Sequence, residues 1–115
     1  MTATDRLSLL QFEHLSMSRD AAAQFRTALD ELRALRLQDR YEHPAALYLG
    51  DIAEADNREE LATARGQGLG FAHGLIAAKA ISEQKADALR RIFQNAVERT
   101  GSRLSGCADR PADSE

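Results

Sequence analysis

Residues 64–80 read ARGQGLGFAHGLIAAKA and place four glycines within nine positions of an otherwise helix-forming stretch. Such a segment is a flexible loop, a phosphate-binding loop, or a helix without side chains on one face. A phosphate-binding loop needs glycines at the offsets G-x-G-x-x-G or G-x-x-x-x-G-K-[ST], between a strand and a helix. These glycines match neither pattern and no strand is predicted before them, so the phosphate-loop function is excluded.

Read as a helix, the segment carries a row of minimal side chains at every fourth residue. We call this row the glycine ridge; it consists of Ala62, Gly66, Gly70, Gly74 and Ala78. Four glycines cost a helix about 3–4 kcal/mol relative to alanine, so we expect close packing against the ridge to offset the loss. A second row of small residues is predicted on roughly the opposite side: Ala64, Gly68, Ala72 and Ala80.

Two questions about the ridge stay open at this point. Its packing partner is either a helix of the same chain or the same helix of a second copy, and the thin core of so short a chain favours a homodimer. The helix is either continuous or broken at residues 66–70, which would then act as a hinge.

The remaining sequence also predicts helices, because strong helix formers such as alanine, leucine and arginine dominate it. Residues 6–17 fit either a helix or a strand. Ser18 is placed to cap a helix that runs to about Leu37. Pro44 suits the first position of the next helix, with His43 before it pushed out of helical geometry.

Asn57, followed by Glu60, predicts the start of the glycine-containing helix. Ser82 is predicted to cap the last helix and Gly101 to stop it. The fold class is therefore all-α: a small bundle of four to five helices with a Gly/Ala-rich fourth helix, expected to dimerise. Three parts are predicted along the chain: a frayed N-terminus (1–5), a single helical domain (6–101) and a flexible C-terminal tail (102–115).

Composition and net charge indicate which partners and which cell compartment to expect. The net charge of −3 argues against nucleic acid as the main partner, because duplex-binding proteins usually carry a basic face. The single cysteine, Cys107, cannot form an internal disulfide, and we expect neither a signal peptide nor a membrane span. A cytoplasmic protein without a membrane partner follows as the expectation. Thirteen arginines against two lysines suit a GC-rich bacterial genome.

Catalytic and metal-binding chemistry is not predicted. The three histidines, His14, His43 and His73, have no metal-ligand spacing to one another or to cysteine and carboxylate. Cys107 lacks a basic pocket to lower its pKa, and no serine lies in a nucleophile motif. We therefore expect no enzyme activity, no metal and no cofactor.

The remaining features favour a protein that binds another protein. An acidic block covers residues 39–60, and tyrosine is over-represented at the centres of protein interfaces. The candidate partner-binding surface therefore consists of Tyr41, Tyr48, Asp51 and Glu54. We predict a non-enzymatic adaptor, or an inhibitor that sequesters a transcription factor or an enzyme.

Two alternatives are weighed against this function. A helix-turn-helix DNA-binding regulator would place Lys85, Arg90 and Arg91 against phosphates, although Asp87 is spaced to pair with both arginines. A small-molecule-binding helical bundle would use a cavity beside the glycines.

Overall fold

The computed structural model describes residues 18–113, with side chains as far as residue 105, and within these residues it contains four α-helices and no strand. In chain order they are α1 (Arg19–Ala34), α2 (Asp39–Glu54), α3 (Arg58–Ala77) and α4 (Glu83–Asp113). The predicted all-α class is confirmed for this part of the chain. The ambiguous segment 6–17 and the predicted frayed residues 1–5 lie outside the described residues.

The helices pack as an antiparallel bundle. Arg58 at the start of α3 donates a hydrogen bond of 2.6 Å to the Ser105 hydroxyl of α4, whereas Gly68, further along α3, lies against Phe93. The two helices therefore run in opposite directions along their shared length. α1 packs on α2 and α4, and α2 also packs on α4, so α1 and α3 lie on opposite sides of the bundle.

The core is built from one apolar stripe per helix. Its largest fully buried aliphatic and aromatic side chains are Leu32 of α1, Leu49 and Ile52 of α2, and Leu89 and Phe93 of α4. Burial of each such side chain is worth about 1.5–3 kcal/mol. In α1 and α4 the buried positions recur at every third or fourth residue, as the 3.6-residue period of an α-helix requires.

Three predicted helix starts are confirmed by their caps. The Ser18 hydroxyl accepts the Ala21 N–H at 3.1 Å, and the Ser82 hydroxyl accepts the Lys85 N–H at 3.2 Å. At the start of α3, the Asn57 side chain accepts the Glu60 N–H at 2.8 Å. The Glu60 carboxylate returns to accept the Asp56 N–H at 3.0 Å, so two backbone donors are satisfied together.

The predicted start of the second helix is wrong. α1 ends at Ala34, and α2 begins at Asp39, so His43 and Pro44 both lie inside α2. Pro44 is the sixth residue of α2 and removes one backbone hydrogen bond, the bond to the Arg40 carbonyl. The helix tolerates this loss because the next positions bury Ala45 and Ala46 against the core.

The predicted stop at Gly101 is also wrong, because α4 continues to Asp113. No glycine of the described residues has a positive φ, so Gly101 adopts ordinary helical geometry. Helical packing resumes immediately around it, with Thr100 and Leu104 both buried. The mobility predicted for residues 102–115 is a separate property and stays a prediction.

Candidate functional site

The glycine segment lies in one uninterrupted helix, α3, so the hinge interpretation is wrong. Every residue of the glycine ridge is exposed. A methyl group placed on Gly66, Gly70 or Gly74 would meet no atom of the described residues within 4 Å, apart from the neighbouring helical backbone. Among the described residues, the ridge therefore packs on no other helix and faces outward.

The opposite side of α3 explains this orientation. Larger apolar side chains, Leu61 and Leu75, share that side with Ala64 and Ala72, and all four are buried. Burial of leucine removes far more apolar surface from water than burial of a glycine row. The leucines therefore decide which face of α3 meets the core.

Gly68, in the second row of small residues, is the glycine that the fold requires. A Cβ atom at this position would lie 2.9 Å from Phe93 Cδ1 and 3.0 Å from Phe93 Cε1. Phe93 is fully buried in the close-packed core, so its ring could move away only by displacing neighbouring side chains. Close backbone approach, expected for the ridge, occurs on this face instead.

A groove opens between α2 and α3. Its volume is about 450 Å³, and Ala55 and Ala64 line it as buried, apolar positions. α2 contributes two carboxylates to its rim and α3 contributes two more. The rim carboxylates are Asp51, Glu54, Glu59 and Glu60, and the remaining lining residues are Asn57, Thr63 and Gln67.

An aromatic pair adjoins the groove. The rings of Tyr48 and Phe71 have centroids 5.3 Å apart and are tilted by 44°. Tyr48 lies one turn before Asp51 on α2, and Phe71 lies one turn after Gln67 on α3, so the pair continues the line of the groove. Both side chains are only half-buried, which leaves aromatic surface exposed.

The candidate surface predicted from sequence is therefore only partly brought together. Tyr48, Asp51 and Glu54 occupy successive turns of α2 beside the groove. Tyr41 lies two turns before Tyr48, where the Arg40 guanidinium stacks over its ring at 4.9 Å. Tyr41 is outside the groove itself.

Residues of α3 complete the surface and were not predicted as part of it. Glu59, Glu60, Gln67 and Phe71 join it only because α3 packs beside α2. Glu59 and Glu60 belong to the acidic block of residues 39–60, but no local signal indicates which helix they would face.

Hydrogen bonds from two arginines hold the connection between α2 and α3, at one end of the groove, against α4. The Arg103 guanidinium of α4 donates hydrogen bonds to the carbonyls of Ala53 and Ala55, at 3.0 and 2.9 Å. These carbonyls lie at the C-terminal end of α2, where positive charge is favourable. With the Arg58–Ser105 bond, this contact ties the α2–α3 connection to α4.

The structure brings together no catalytic constellation among its described residues. His43 lies on α2, half-buried, with Nδ1 shielded from water and without a hydrogen-bond partner, whereas His73 is exposed on α3. Among the side chains that the structure covers, no group of His, Cys, Asp and Glu is arranged to hold a metal ion. His14 and the side chain of Cys107 lie outside the part of the chain that the structure describes.

The geometry around α4 is not that of a helix-turn-helix. That motif joins two helices at about 90–120°, whereas α3 and α4 run antiparallel along their shared length. Lys85, Arg90 and Arg91 are exposed, and Arg90 pairs with Asp87.

No protein-family model matches this chain, and neither a curated protein nor a solved structure matches it. Among the helices of residues 18–113, none is both long and apolar enough to cross a membrane. Over residues 18–113 the fold is a compact, all-helical globule of four helices.

Proposed function

We propose that this protein is non-enzymatic and acts by binding and regulating another protein, as an adaptor or as an inhibitor that sequesters a transcription factor or an enzyme. The observation that supports this function is the α2–α3 groove with the half-buried Tyr48–Phe71 pair beside it. Aromatic anchors beside a polar rim are typical of protein interfaces. A cytoplasmic location is part of the same proposal.

The outward-facing glycine ridge supports a second contact, with another copy of this chain. Gly66, Gly70 and Gly74 lower helix stability by about 0.8–1.0 kcal/mol each, and no contact among residues 18–105 offsets that loss. A homodimer in which two α3 helices approach closely would use their lack of side chains. Gly70→Leu is expected to abolish the dimer in sedimentation experiments, and an unchanged mass for a folded dimeric variant would exclude the ridge as its interface.

The regulatory function is tested by affinity capture from a cell lysate, with and without nuclease, using the full chain. The proposal predicts one protein recovered in stoichiometric amount under both conditions. Loss of all recovered protein after nuclease treatment would favour the DNA-binding alternative. Tyr48→Ala is the matched variant, expected to release the partner, while Arg26→Ala on the exposed face of α1 is expected to retain it.

A small-molecule function is tested by thermal shift. The groove volume of about 450 Å³ lies in the range of ligand sites, but carboxylates and amides dominate its lining, unlike most such sites. A metabolite that raises the unfolding temperature at saturating concentration would contradict the protein-binding function of this groove.

A further inference from the structure

We draw no further inference here: the strongest candidate, the exposed glycine ridge on the outer face of α3, is a row of small side chains that belongs to the homodimer contact already proposed, and no other feature of residues 18–105 shows what covers it.

Discussion

Replacing Gly66, Gly70 and Gly74 of α3 together by alanine is expected to raise the free energy of unfolding by about 2–3 kcal/mol. All three positions lie inside a continuous helix and face solvent. An added methyl group finds open space at each of them, and none has a positive φ. Only the gain in helix propensity therefore remains, about 0.8–1.0 kcal/mol for each substitution.

The change is large enough to measure by urea denaturation followed by circular dichroism. For a chain of 115 residues it corresponds to an increase of about 10 °C in the melting temperature. The matched control is Gly68→Ala, which adds the same methyl group on the opposite face of α3, 2.9 Å from Phe93 Cδ1. Because the buried Phe93 ring must move, this variant is expected to lose about 1 kcal/mol.

The two results together decide the orientation of α3. At a protein concentration where the chain is monomeric, a triple variant that is no more stable than the native chain would refute the exposed ridge, and a more stable Gly68→Ala variant would refute the placement of Phe93. If the native chain dimerises through the ridge, its melting temperature will rise with protein concentration and that of the triple variant will not.

Three further predictions concern helix ends and the contacts between helices. Asn57→Ala should destabilise the protein by about 1 kcal/mol in urea denaturation, since the Glu60 N–H loses its acceptor; an unchanged midpoint would contradict that cap. Arg103→Met should cost about 1–2 kcal/mol, because two charge-assisted bonds to the end of α2 are lost, and a loss below about 0.5 kcal/mol would show that they are dispensable. Lys79→Gly should stabilise by about 1 kcal/mol, because Lys79 has a φ of 54° after α3; a less stable variant in thermal unfolding would refute that backbone geometry.

The features that could be predicted from sequence are those fixed by neighbouring residues. Ser18, Asn57 and Ser82 each cap a helix through a backbone N–H three residues away, so spacing alone identifies them. Pro44 and Gly101 do not mark helix ends, because the free energy that each costs a helix is small compared with the free energy gained by packing the residues around it. Helix propensity is overridden where buried positions come soon afterwards, as Ala45 does after Pro44 and Leu104 after Gly101.

The glycine ridge shows a different limit. A four-residue repeat indicates which residues share a face, but not whether that face is buried. Leu61 and Leu75 on the other side of α3 carry that information, and their greater apolar area determines the outcome. The groove is less predictable still, because Asp51 and Gln67 become neighbours only once α2 and α3 have packed.

Site-specific crosslinking in the native cell tests the central proposal most directly. A photoreactive amino acid at Gln67 in the groove is compared with the same residue at Arg26, which is exposed on α1. The proposed function predicts that one partner protein crosslinks from position 67 and is absent from position 26. Crosslinking at neither position, or the same products at both, would contradict binding through the α2–α3 groove.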